Sequence, residues 1–104
     1  MNEIKLNKKT SFLKVMGVNP TNRILDFLIE NKRESWAMVE IRDNANVGYS
    51  TLKIIIPRME KLDLIKVVKK VGTSKFYTIN EDNPIIKKIE SLHREIIRNV
   101  ETFI

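Results

Sequence analysis

Residues 49–61 read Y-S-T-L-K-I-I-I-P-R-M-E-K, and a second basic set, Lys69, Lys70 and Lys75, follows shortly after. The side chains of Lys53, Arg58 and Lys61 donate hydrogen bonds and carry charge, but none is a nucleophile or half of an acid–base pair. Their chemistry is recognition: neutralising phosphates, or donating to the acceptor edges of bases. Tyr49, Ser50 and Thr51 add hydroxyls at the start of the segment, and Thr73 and Ser74 add two more beside the second basic set. Any one of these lysines would serve solubility equally well. Together they form a local excess that needs an explanation.

The excess is local because the formal charge of +6 over 104 residues is unevenly spread. Residues 48–80 carry Lys53, Arg58, Lys61, Lys66, Lys69, Lys70 and Lys75 against only Glu60 and Asp63. The N-terminal segment, with Lys5, Lys8, Lys9 and Lys14 against Glu3, is the other positive region. Positive charge concentrated on a small domain points to a polyanionic partner.

Enzyme chemistry has little to stand on. There is no cysteine, which excludes disulfides, thiolate metal sites and cysteine nucleophiles. Gly17, Gly48 and Gly72 form no phosphate-binding loop. The one histidine, His93, sits on an apolar stripe with no acid–base partner that spacing can identify, so packing is its expected role. The expectation is a non-enzyme that needs no cofactor and no metal. No apolar run approaches the ~20 residues of a membrane span, and the polar opening M-N-E-I-K-L-N-K-K is unlike a signal peptide. A cytoplasmic protein without a membrane partner is expected. Heavy use of isoleucine, lysine and asparagine reads as compositional bias rather than function.

The elements that must position these residues follow from periodicity. Residues 1–11 lack a period and read as a basic flexible arm. Phe12, Leu13, Val15 and Met16 make one or two helical turns packing on the body. Asn19 as N-cap, Pro20 in the first turn, and Ile24, Phe27 and Leu28 predict a helix to about Asn31. S-W-A fits one short strand, and Met38 to Ala45 a short helix with Ile41 and Ala45 inward. In the next helix Leu52, Ile55, Ile56 and Met59 share one side. Ser50, Lys53, Ile54, Pro57 and Lys61 share the other, so one isoleucine of three is left showing. Pro57 in mid-helix costs ~3 kcal/mol, bends the helix or divides it.

After Asp63 the period falls to two, and L-I-K-V-V-K-K-V, V-G-T-S and K-F-Y-T-I-N read as a β-hairpin turning at Gly72. Asn83 and Pro84 open a last helix. Its residues Ile85, Ile89, Leu92, Ile96, Val100 and Phe103 form one stripe, with Ile86, His93, Ile97 and Ile104 beside it. That is more apolar surface than so small a domain is expected to cover, so pairing with a second copy is expected. The alternative is that the helix folds back on the monomer.

Helix, short helix, helix, hairpin is the order of an α+β winged helix-turn-helix, here over residues 12–82, with 83–104 as a dimerisation helix. F-L-K-V-M-G-V-N-P-T-N-R-I-L-D-F-L-I-E resembles the opening of ArsR-type regulators. I-R-D-N-A-N-V-G-Y-S-T-L-K-I-I-I-P-R-M-E-K-L-D-L-I resembles the helix-turn-helix of ArsR- and MarR-like proteins. Asn46 and Asp63 stand where those families often have glycine, and both types tolerate positive φ. Arg42 replaces a small residue there, either loosening the helix packing or swinging a charge toward phosphate.

The resemblance implies a homodimeric, sequence-specific regulator on double-stranded DNA, with its third helix in the major groove and its hairpin along the backbone. In that reading Tyr49, Ser50 and Thr51 open the recognition helix, Lys53 meets guanine and Ile54 a thymine methyl. Arg58 and Lys61 clamp phosphate, and Lys69, Lys70, Thr73, Ser74 and Lys75 line the wing. A protein-interaction module and a non-specific architectural DNA binder are the alternatives.

Overall fold

Several helices of this chain begin or end where a side chain or a left-handed residue satisfies the free backbone groups. In a computed structural model, residues 10–103 are described, with side chains as far as Val100. Residues 1–9 of the expected arm, the side chain of Phe103 and all of Ile104 lie outside the described residues.

Helix α1 (Ser11–Met16) starts at Thr10, whose hydroxyl accepts from the Leu13 N–H at 3.2 Å. Thr10 and Ser11, assigned above to the arm, are therefore part of the folded body. The helix stops at Gly17, where φ is +100°. Helix α2 (Pro20–Glu30) opens as expected, with the Asn19 side chain accepting from the Asn22 N–H at 2.9 Å and Pro20 in the first turn. Asn22 then donates back to the carbonyls of Met16 and Gly17, fixing the angle between α1 and α2.

Strand β1 (Trp36–Ala37) is short, and Trp36 is anchored edge-on to Phe27 with its indole N–H donating to the Asn31 carbonyl at 3.2 Å. Helix α3 (Met38–Ala45) begins with the Glu40 carboxylate accepting from the Ala37 N–H at 2.8 Å. It ends at Asn46, left-handed at φ 57°, so that the Val47 N–H returns to the Arg42 carbonyl. Helix α4 (Tyr49–Lys61) follows after this tight turn.

Pro57 neither divides α4 nor ends it: the helix runs through it unbroken. The carbonyl it leaves unbonded is that of Lys53, on the exposed side, where water can replace the lost N–H. The helix closes at Asp63, also left-handed at φ 59°, with the N–H groups of Asp63 and Leu64 returning to the carbonyls of Glu60 and Met59. This paired closure satisfies two carbonyls that would otherwise lack partners.

Strands β2 (Ile65–Val71) and β3 (Ser74–Ile79) form the hairpin, joined through Gly72 and Thr73, with positive φ at Gly72 as a type II′ turn requires. The antiparallel sheet has the order β1-β3-β2, and a bulge between Val67 and Lys69 leaves Val68 out of register. Asn83 caps helix α5 (Pro84–Phe103), accepting from Ile85 and Ile86, while its amide donates to the Asp63 carbonyl.

The described residues thus make five helices and a three-stranded antiparallel sheet, an arrangement compatible with a winged helix. The main core joins Ile24 and Leu28 of α2, Ile41 of α3, Leu52, Ile56 and Met59 of α4, and Ile65, Ile79 and Ile86. A second cluster puts Phe12 and Leu13 of α1 against Ile96, with Ile89 and Val100 packed on it. Part of the stripe expected to pair with a second copy is thus covered within the chain. Ile96 is buried within the chain, and Ile89 and Val100 are half-buried, because α1 covers them. Ile85 and Leu92 alone of the described stripe stay exposed. No helix among the described residues is long and apolar enough to cross a membrane.

The two faces of α4 can be tested directly. Ile56→Ala should cost about 2–5 kcal/mol by opening a cavity in the core. Ile54→Ala, on the free face, should stay within about 0.5 kcal/mol. Urea denaturation midpoints would separate them, and equal costs would show that the faces are wrongly assigned.

Candidate nucleic-acid interface and a buried acid–histidine cluster

The free face of α4 is built by exclusion. With Leu52, Ile56 and Met59 buried and Ile55 packed against the same core, the remaining positions must point outward. Ile54 is accordingly 60% exposed, and Ser50, Lys53, Pro57, Arg58 and Lys61 are exposed around it. Thr51 is half-buried, so its hydroxyl is less available than expected. Lys53 rests its ammonium over the Tyr49 ring, 5.9 Å from the centroid. The contact orders a cation at the N-terminal end of α4 without neutralising it.

The hairpin carries the second set. Lys70 and Lys75 are direct cross-strand partners, next to the Val71–Ser74 pair that closes the turn. Like charges opposite each other weaken a sheet. Lys69 sits over the Phe76 ring at 4.9 Å, an aromatic contact that the sequence reading did not anticipate. Thr73 and Ser74 are exposed at the tip. Among the described residues, no carboxylate lies within 4 Å of Lys53, Arg58, Lys61, Lys69, Lys70 or Lys75.

Arg42 behaves otherwise. It is exposed and holds Asp43 at 2.8 Å, and the hydrogen bond pulls the Asp43 carboxyl below its ordinary range. Lys32 is also engaged, bridging Glu81 at 2.8 Å and Glu90 at 3.3 Å, and its hydrogen bond to Glu81 raises its pKa.

A second site was missed by the sequence reading. His93 has an acid partner after all: its Nε2 lies 2.8 Å from Oδ1 of Asp26 and 3.5 Å from Oε2 of Glu30. Asp26 and His93 are both buried, whereas Glu30 is exposed. Thr10 donates to the other Asp26 oxygen at 2.8 Å, and Phe12 stacks on the imidazole with centroids 5.0 Å apart. Helices α1, α2 and α5 thus converge on one polar cluster. It opens on a cleft of about 390 Å³ whose lining also includes Asn44 and Asn46 at the turn before α4. The available signal was an acid embedded between Ile24, Leu25 and Phe27, matched by a lone histidine on another apolar stripe. Nothing in the spacing says that residues so far apart in sequence meet.

Comparisons with protein-family models, curated proteins and solved structures return no match for this chain.

The buried cluster makes its own prediction. Asp26→Ala would leave His93 Nε2 and the Thr10 hydroxyl without their acceptor in the interior, costing roughly 2–5 kcal/mol. Glu30→Ala, at an exposed position, should cost under about 1 kcal/mol. Chemical denaturation of both variants would check the contrast, and similar small losses would mean that the cluster contributes little to holding α5 on α2.

Proposed function

We propose that this chain is a winged helix-turn-helix protein that binds double-stranded DNA, acting as a homodimeric, sequence-specific transcriptional regulator. The observation that carries the reading is the exposed Lys53–Ile54 face of α4, the second helix of a helix–turn–helix pair whose opposite face is wholly committed to the core. A large aliphatic side chain showing beside an ordered cation has no role in the fold. In a major groove it meets a thymine methyl, while Lys53 donates to guanine acceptors. Tyr49 and Ser50, at the N-terminus of α4, stand where backbone N–H groups favour phosphate. Arg58 and Lys61 serve backbone phosphates further along.

The hairpin supports the same reading. The Lys70–Lys75 pair opposes sheet formation in the free protein and becomes favourable beside a phosphate chain. Exposed Ile85 and Leu92 on α5, with exposed Val15 and Met16 on α1, supply the apolar surface for pairing with a second copy. Two-fold pairing would set recognition helices on half-sites about 34 Å apart.

A second reading is favoured by one observation. Leu62, Val68 and Val71 are exposed apolar side chains on and beside the hairpin, as a protein-docking wing would show. Salt distinguishes the two, because phosphate contacts release counterions and apolar docking does not.

The test is a salt titration of binding to a selected DNA site and to a scrambled duplex of equal length. The wild type should prefer the selected site by ~10³ or more. Lys53→Ala with Ile54→Ala should abolish the preference while leaving scrambled-duplex affinity intact. Equal loss on both duplexes would sink direct readout by this face. Lys75→Glu should raise the stability of the free protein by roughly 0.2–1 kcal/mol through the new Lys70 pairing. It should also weaken binding to every duplex and shallow the salt dependence by about 0.9 per lost phosphate contact. Binding that is insensitive to salt and to this change would favour the protein-docking wing.

A further inference from the structure

We infer that Asp26, Glu30 and His93 form a binding site for one zinc-class divalent cation, independent of the DNA-binding face. The spacing of Asp26 and Glu30, one helical turn apart on α2, sets two carboxylates on the same side of that helix. Helix α5 brings His93 across to them. The three candidate ligand atoms lie within 4.8 Å of one another, with the imidazole nitrogen 2.8 Å from Asp26 and 3.5 Å from Glu30. A tetrahedral zinc with bonds of ~2.0–2.2 Å has donor-to-donor edges of about 3.3–3.6 Å. The Glu30 edge already has that length. The Asp26 edge, at 2.8 Å, must open by about half an ångström on that geometry.

A plain histidine–aspartate bond does not account for Glu30. One acceptor satisfies one N–H, yet a second carboxylate approaches the same nitrogen. Among the described residues, no lysine or arginine lies within 4 Å of Asp26 or Glu30. Two carboxylates converging on one imidazole offer three donors to one point, and a divalent ion placed there is held by both charges. Arg23 lines the cleft on one side and Arg94 an adjoining hollow, and neither is within ion-pair distance of the two acids. Lys32 nearby is committed to Glu81 and Glu90.

The surroundings match what a metal requires. The bond from Thr10 fixes the Asp26 carboxylate and the Phe12 ring fixes the imidazole plane, which is how outer groups orient ligands. Exposed Glu30 can adjust, and the cleft leaves a fourth position for water. One nitrogen and two oxygens select a borderline first-row ion over magnesium or calcium, which take oxygen ligands in larger number. Binding needs Nε2 free of its proton. Metal binding therefore moves the ring proton from Nε2 to Nδ1 or releases it to solvent.

The experiment is calorimetric titration of the full, untagged chain with zinc chloride, with magnesium chloride as control and cobalt(II) absorption to read the coordination. One zinc per chain, a four-coordinate cobalt spectrum and no magnesium response are expected. Glu30→Gln should weaken zinc binding by at least about 10–100-fold, the loss that removing even an outer partner of a ligand brings, with the metal-free melting temperature unchanged. Because Glu30 is exposed, this variant should fold as the wild type does. Absence of zinc binding, or equal affinity in Glu30→Gln, would overturn the site and leave a hydrogen-bonded pair with a neighbouring surface acid.

Discussion

Two left-handed residues, Asn46 and Asp63, bracket α4, and the orientation of that helix depends on both. At Asn46 the chain leaves α3 and turns sharply enough for Val47 to enter the core before Gly48 opens α4. At Asp63 it reverses into the hairpin, and the Asp63 carbonyl accepts from the amides of both Asn80 and Asn83. The same junction therefore ends α4, starts the sheet and starts α5. Leu52, Ile56 and Met59 then lock the rotation of α4 about its own axis. Once both ends and the rotation are set, Lys53 and Ile54 have nowhere to point but outward.

Local chemistry made most of this legible. Proline at the start of α2 and α5, the 3.6-residue period of α4 and the glycine of the hairpin are decided by neighbours in sequence, and they appear as expected. The positive φ at Asn46 and Asp63 was also readable, since both types tolerate a conformation that others resist. What could not be read depends on contacts between distant segments. Nothing local shows that Phe12 and Leu13 cover Ile96, or that Asp26 meets His93 across 67 residues. The asparagines were legible only in part, for a related reason. Asn19 and Asn83 open helices as expected, whereas Asn22 and Asn80 stitch loops to carbonyls of other segments, so part of what looked like compositional bias is structural.

The hairpin shows a local rule broken without a folding benefit. Facing lysines at 70 and 75 weaken the sheet, and both side chains are exposed and add nothing to the core. Features that cost stability and pack nothing are best explained by what approaches from outside. Pro57 belongs to a different class. Its missing N–H falls on the exposed side of α4, so the helix tolerates it, and it stiffens the backbone next to the face that carries Lys53 and Ile54.

Burial of Ile96 within the chain changes what a dimer would have to look like. A stable interface covers about 800 Å² on each partner, and two exposed side chains cannot supply that. Ile85 and Leu92 are what α5 still offers, at 58% and 41% exposed. The further apolar surface nearest along the fold is on α1 and the loop after it, at Val15, Met16 and Val18, and α1 is packed on α5 through Phe12 and Leu13. A pairing surface would thus be composite, with α1 serving the monomer core on one side and the partner on the other. The same short helix holds Asp26 through its cap residue Thr10 and stacks Phe12 on His93. Whatever shifts α1 must therefore act on the acid–histidine cluster and on the pairing surface together.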